Sequence, residues 1–330
     1  MSGAARRLIP GLALLALVAL LARFLGSSIP FLTPLVVAVA IGAVAVNLVD
    51  LPGVVEPGLE KHSLLLETAI VLLGASLSLD AILTAGPLIV ALVLFVVGFG
   101  VLLVTGLARV GNLDRRMGSL LAAGSSICGV SAIAAVAPAC EARKTQIAHA
   151  AATILLFDAV TLVAFPAVGS VLELDPRFYG VWIGLSMFST GPVAAAGFAH
   201  SATAGEWATM TKLARNALIG VVVLGYSLSY TGRSAAATEQ PVRRIWADFP
   251  KFLFGFVSLA VIVNAGLLSD AVVSTLTSAS GALFLLAFAG LGFEIRLAEM
   301  RETGLVPVGI VGVYLLVVSG VTYGIVTLLL

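Results

Sequence analysis

Charge is scarce in this chain. Its 330 residues hold 18 Lys and Arg and 17 Asp and Glu, 11% in all, against about 25% in soluble globular domains. The formal net charge is +1, so no basic surface is on offer to a nucleic acid. Cysteine is scarcer still: Cys128 and Cys140 stand twelve residues apart. Within one helix that is about 18 Å, too far for a disulfide, and two thiols are too small a set for a metal site. The three histidines form no pair, no nucleotide-binding loop occurs, and Cys128 has no adjacent base. No enzyme chemistry and no cofactor are expected.

Apolar residues are abundant, at 60%. They fall into eleven windows, at roughly 8–25, 31–49, 63–79, 86–108, 118–140, 147–171, 178–199, 207–229, 248–267, 272–292 and 305–330. Each is long enough to cross a hydrocarbon core of about 30 Å, and too long and uniform for a β-barrel strand. The expectation is an all-α integral membrane protein with about eleven transmembrane helices. The first window follows Arg6 and Arg7 as a signal peptide's would, but no cleavage site follows it, and it reads as a retained helix.

With the N-terminus inside, the inner side holds thirteen basic residues: Arg6, Arg7, Lys61, Arg109, Arg115, Arg116, Arg177, Arg233, Arg243, Arg244, Lys251, Arg296 and Arg301. The outer side holds Arg23, Arg143 and Lys144. This bias predicts a cell-membrane protein with a cytoplasmic N-terminus and Leu330 outside.

Three stretches interrupt the apolar pattern. "GSSICGVSA" (124–132) sits in the fifth window, and "TSASG" (277–281) echoes it in the tenth. A second echo pairs "LGASLSLDAILTAG" (73–86) with "LGFEIRLAEMRETG" (291–304). Both pairings join windows of opposite direction, as an inverted repeat does. Backbone breaks are tolerated within a membrane only where buried or beside water, and the half-helix after a break points its positive end inward, toward an anion. Breaks near 125–131 and 277–281 are therefore expected to meet. Tight packing of small residues is the competing reading. In the third stretch, "FSTGPVAAAG" (188–197), Gly191-Pro192 removes a donor and favours a break or a kink, a simple proline kink being the plainer reading.

Charges within the windows are costly and usually functional. Lys212, Arg215 and Asn216 share one helical face; Asp158 and Glu67 are candidate partners for Arg215 or coupling groups, and His149 an interfacial residue. The expected substrate-binding set is Ser125, Ser126, Cys128, Gly129, Ser131, Ser189, Thr190, Arg215, Thr277, Ser278, Ser280 and Gly281.

"GSSICGVSAIAAVAPA", "IAHAAATILLFD", "AAGFAHSATAGEWATMTKLARNALI" and, late in the chain, "AFAGLGFEIRLAEMRETG" resemble the YeiH family of membrane proteins, also called the sulfate exporter family. The resemblance implies a fold related to the bile-acid and arsenite transporters: an accessory helix at 1–30, five-helix repeats at 31–171 and, inverted, 172–330, crossed broken helices and elevator-like movement. The chain departs from that family in window 7, where Phe188-Ser189-Thr190-Gly191-Pro192 replaces a titratable His-Asp pair, and at Asp158, where Asn is common. Lys212 and Arg215 fit the family's K-x-x-R pattern. The function expected is secondary transport of a small anion such as sulfate or sulfite. The alternatives are a proton- or sodium-coupled transporter of an organic acid or neutral solute, and an anion channel. The expected partners are the anion, a coupling H+ or Na+, the bilayer and a second copy in a homodimer.

Overall fold

The computed structural model describes residues 3–28, 33–76, 79–235, 250–298 and 303–329, without side chains at 3–6, 27–28, 79–85 and 231–235. Arg243, Arg244 and Arg301 lie outside the described residues, as do the side chains of Arg6 and Arg233. The described residues are helical, with short turns between. Among them, six helical stretches are long and apolar enough to cross a membrane: Arg7–Gly26, Gly86–Val110, Lys144–Val171, Ala202–Tyr230, Asp270–Phe293 and Leu305–Leu329. This is a multi-pass membrane protein.

The helices fall into two compact units, Met1–Gly86 with Lys251–Ala298, and Pro87–Pro250 with Glu299–Leu330. Each draws on both halves of the chain. The first contains α1 (Gly3–Ser28), α2 (Pro34–Leu48), α3 (Glu56–Leu59) and α4 (His62–Leu73). The second begins within α5 (Leu79–Val110) and runs through α6 (Arg115–Ser126), α7 (Val130–Val136), α8 (Lys144–Val171), α9 (Pro176–Ser186), α10 (Thr190–His200), α11 (Ala202–Asn216) and α12 (Ile219–Ala235). The first unit then resumes with α13 (Phe252–Asn264) and α14 (Asp270–Phe293), and the second closes with α15 (Leu305–Leu329).

In the first unit α14 packs on α2 and α4, and α1 on α2. Leu15, Val18, Ala22, Val37, Ala38, Leu59, Ala289 and Phe293 form its core. Small residues permit the close approach: a Cβ on Gly42 would stand 2.6 Å from the Ala289 carbonyl and 3.0 Å from Gly292 Cα, the contact by which membrane helices gain packing that lipid cannot supply. The expected break at 277–281 does not occur. Asp270–Phe293 is one uninterrupted helix, and the Ser280 hydroxyl donates to the Ala69 carbonyl at 2.7 Å. A serine can thus satisfy itself on a neighbouring helix without breaking its own.

In the second unit, windows 5 and 7 do not cross it. Each folds back on itself. The chain enters α6 at Arg115, turns at 127–129 and returns through α7 to Glu141, whose carboxylate lies 3.5 Å from Arg116 Nη2 and whose carbonyl accepts from Arg116 Nη1 at 2.9 Å. Likewise α9 leaves Pro176, turns at 187–189 and returns through α10 to His200, which bonds the Leu174 carbonyl at 3.0 Å and stacks on Tyr179. We call these hairpin 1 and hairpin 2. Helix α8 runs from the mouth of the first to the mouth of the second, so they enter from opposite ends of the unit. Twelve residues of α6 reach about 18 Å, a little beyond half of a hydrocarbon core of about 30 Å.

The fold-backs move charges predicted from eleven crossings. Arg143 and Lys144 join Arg109, Arg115 and Arg116 at the hairpin 1 end, while Arg177 moves to the hairpin 2 end. Two missed reversals cancel, which leaves the expected parity after window 7 unchanged.

Candidate functional site

The two tips touch. Gly129 adopts φ +71°, a conformation that costs an L-residue about 1–2 kcal/mol, and a Cβ there would collide with the Ser189 side chain. Gly129 N–H closes the turn onto the Gly124 carbonyl at 2.9 Å. In hairpin 2 the turn is extended: Met187 has φ −74°, ψ 163° and Ser189 φ −93°, ψ 153°. Pro192 therefore lies in the first turn of α10, where its missing N–H is no loss. It follows a break and is not the mid-helix kink the sequence suggests.

Each break leaves carbonyls unpaired at the end of a half-helix, deep in a low-dielectric interior. Two buried cations on α11 meet them. Arg215 Nη1 donates to the carbonyls of Gly184 (3.0 Å), Leu185 (2.7 Å) and Met187 (2.8 Å). Its Nη2 donates to Ser125 (3.1 Å) and its Nε to Ser126 (3.3 Å). Lys212 Nζ donates to Ile127 (2.7 Å) and Met187 (3.1 Å). Both residues are fully buried. Positive charge at helix C-termini complements the dipole, so one arginine and one lysine join the ends of α6 and α9. The expectation that Arg215 pairs with Asp158 or Glu67 is corrected: its hydrogen bonds go to carbonyl oxygens, the Tyr314 hydroxyl lies beside it, and Glu67 is an exposed residue of α4 in the first unit.

The opposite end of the second break carries the opposite charge. Asp158, buried on α8, accepts the Ser189 N–H at 3.0 Å. A carboxylate of the chain itself thus occupies the N-terminus of α10. Asn216 Nδ2 donates to Thr190 Oγ1 at 3.0 Å. Several buried polar atoms at the junction find no hydrogen-bonding partner among the described residues: Ser125 Oγ, Ser126 Oγ, Asn216 Oδ1 and Tyr314 Oη. Native interiors rarely leave such atoms unsatisfied. Thr209 and Thr211 of α11 are in the same state, the latter packed against Gly184. The aromatic rings of Phe157, Phe188 and Tyr314 pack in sequence as tilted pairs with centroids 6.0 and 5.9 Å apart.

Of the predicted site residues, Ser125, Ser126, Gly129, Asp158, Ser189, Thr190, Lys212 and Arg215 come together in the second unit. Cys128 is buried and Ser131 exposed beside them. Thr277, Ser278, Ser280 and Gly281 belong to α14 in the first unit, the first two and Gly281 exposed. His149 lies exposed near the start of α8. Tyr314 and Phe188 escaped the sequence reading, because an aromatic in an apolar window carries no polar signal. The shared "LD-x-R" at 113–116 and 174–177 was a legible signal for the hairpins. Asp114 and Asp175 cap α6 and α9 in the same way, each accepting two N–H groups. Each is preceded by a positive-φ residue, Asn112 or Glu173.

Comparison with known proteins yields relatives described as membrane proteins. The chain is 31% identical to the UPF0324 membrane protein of Nitratidesulfovibrio vulgaris, over 90% of this chain and 86% of that one. It is 32% identical to that of Agrobacterium fabrum, over 83% and 78%, and 30% identical to that of Bacillus cereus strain ATCC 10987, over 89% and 84%. No solved structure matches the chain. The family model described as Conserved hypothetical protein 698 matches residues 10–311, and the chain belongs to that family.

Proposed function

We propose that the protein is a secondary transporter of a small anion, held where the two hairpin tips meet. The observation that carries this reading is the tip-to-tip junction of two re-entrant hairpins, with Lys212 and Arg215 beneath it. Irregular backbone at membrane depth is tolerated where it is buried or lines a water-filled cavity, and transporters place their sites at such junctions near the midplane. Lys212 and Arg215 against Asp158 leave one formal positive charge in excess, and an uncompensated buried charge costs several kcal/mol. A bound anion would offset that excess. Ser125 and Ser126 hydroxyls, Asn216 and Tyr314 supply uncommitted polar groups. Sulfate and sulfite fit this chemistry as small oxyanions. The movement proposed is elevator-like alternating access, in the plasma membrane, with the hairpin 1 end and its five basic residues in the cytoplasm.

A second reading rests on Asp158. Its contact with the Ser189 N–H places a titratable group on a hairpin tip, as coupling to H+ or Na+ would require, and the substrate is then an organic acid or neutral solute. Proteoliposome flux separates the readings. The anion reading predicts saturable uptake of radiolabelled sulfate or sulfite into vesicles, with thermal stabilisation of the purified protein by the same ion following mass action. Stabilisation by Na+ alone, with no response to any anion, would favour the second.

A further inference from the structure

The two hairpins differ in what lies between tip and mouth. On α6, Arg115, Ser119, Ala122 and Ser126 recur at i, i+4, i+7 and i+11 and so share one face. At the mouth, the Arg115 guanidinium lies 4.3 Å over the Tyr230 ring and donates to Ser229 Oγ at 2.8 Å. One turn deeper, Ser119 Oγ and the Tyr230 hydroxyl stand 2.9 Å apart. Deeper again, the buried Tyr226 hydroxyl lies near Thr105 and Ser119 but has no hydrogen-bonded partner among the described residues. At the tip, the fully buried hydroxyls of Ser126 and Tyr314 lie near each other, and Tyr314 near Arg215, again without hydrogen-bond geometry. Gly100 lets α5 close against both, since a Cβ there would stand 2.7 Å from Ser126 Oγ and 2.9 Å from the Tyr314 ring.

Hairpin 2 is backed differently. Phe165 and Trp182 pack at 4.7 Å, Trp182 and Tyr323 at 5.5 Å, and Phe178 and Tyr323 at 5.2 Å. The Trp182 N–H is taken by the Ser319 carbonyl. Ser186, close to the tip, is doubly engaged with the Trp182 carbonyl and Thr322. On this α15-facing side of α9, aromatic bulk and satisfied hydroxyls leave water little to bind; the unpartnered Thr209 and Thr211 hydroxyls belong to α11, which packs on its Gly180 and Gly184 side.

We propose that a hydroxyl-lined water route follows one face of α6 from Arg115 to the junction, so that in this conformation a small hydrated anion loads from the hairpin 1 end. Buried hydroxyls without protein partners are the groups that ordered water satisfies, and here those of Tyr226, Ser126 and Tyr314 continue inward from the bonded Ser119–Tyr230 pair below a basic mouth. The eleven helical rises from Arg115 to Ser126 span about 16 Å, so the steps lie within reach of bridging waters. This rests on the transporter reading for its cargo, but the route itself is testable without any cargo.

The test is the rate at which a small charged methanethiosulfonate modifies single cysteines in the full-length protein with Cys128→Ala and Cys140→Ala, in vesicles of both orientations. Ser119→Cys and Ser126→Cys probe the route, Ser186→Cys the hairpin 2 side at similar depth, and Asn112→Cys the exposed hairpin 1 mouth. Ala122→Cys replaces Ser126→Cys if the latter is not monodisperse in detergent. The expected result is labelling of Ser119→Cys and of the deeper site from the face that labels Asn112→Cys, at least tenfold faster than Ser186→Cys from either face. Comparable or faster labelling of Ser186→Cys overturns the proposal, as does absence of labelling at both route positions while Asn112→Cys reacts. Absence of anion flux with the labelling pattern intact would overturn the transporter reading and leave the route standing.

Discussion

Hairpins 1 and 2 solve one problem with two kinds of tip. Both begin with a Leu-Asp cap after a positive-φ residue, both descend for eleven or twelve residues, and both end in carbonyls held by Arg215 and Lys212. Hairpin 1 then reverses through Gly129, a turn only glycine makes without strain. Hairpin 2 reverses through ordinary extended backbone and relies on Asp158 to take the N–H of Ser189, the N-cap residue of α10. Backbone freedom in one and a buried carboxylate in the other reach the same end. The shared elements should therefore dominate stability, and the unshared ones should distinguish the hairpins.

The largest effect is expected at Arg215. Arg215→Gln removes the guanidinium from five carbonyls of both hairpins, of which only Met187 keeps a second side-chain donor, Lys212; a carbonyl buried without a partner costs about 1–3 kcal/mol. The variant should fail to fold or lose more than about 4 kcal/mol, read as the unfolding midpoint in detergent. Arg215→Lys should not rescue it, because a point charge cannot span both helix ends. Neutralising Asp158 as well should not rescue it either, which separates carbonyl capping from an ion pair. Lys212→Gln, facing two carbonyls with a donor still present, should cost clearly less.

Gly129→Ala comes next and should break hairpin 1 alone. It adds a positive-φ cost of about 1–2 kcal/mol to a collision with Ser189. Ser189→Gly in the same chain should recover the collision and not the backbone share, so the double-mutant cycle shows positive coupling. Additive effects would mean that the tips do not touch.

The smallest effects belong to the caps. Asp114→Ala and Asp175→Ala should each cost about 1 kcal/mol. Asp114 also carries a pH signature. Desolvation acts to raise its pKa, but N–H bonds from Met117 and Arg116, the Gln146 amide and the charge of Arg143 together hold it below the ordinary value. Its contribution is complete above the unfolded pKa of about 3.9 and is lost as pH falls through the lower folded value. Acid titration of stability should flatten below pH 4 in Asp114→Asn.

Much of the fold was legible. Among the described residues each of the eleven windows contains helix, and the polar break at 124–132 lies where composition placed it. Direction was not legible, because an apolar window of about 20 residues reads alike whether it crosses or turns back halfway. The break in window 7 was visible as Gly191-Pro192, yet only the geometry puts that proline in the first turn of a new helix. The "TSASG" echo misled because small hydroxyl residues also suit close helix packing, as Ser280 on Ala69 illustrates. For Arg215, burial and a shared face with Lys212 were foreseeable. Its partners were not, since backbone carbonyls leave no trace in side-chain composition.

The account stands on the hairpins entering from opposite ends. Impermeant thiol labelling of single cysteines tests this most directly, at Asn112→Cys and Lys144→Cys flanking hairpin 1, and Glu173→Cys and Ala202→Cys flanking hairpin 2. The prediction is that 112 and 144 label from one face of the membrane and 173 and 202 from the other. Labelling of 112 and 144 from opposite faces would make window 5 a crossing helix and contradict the account.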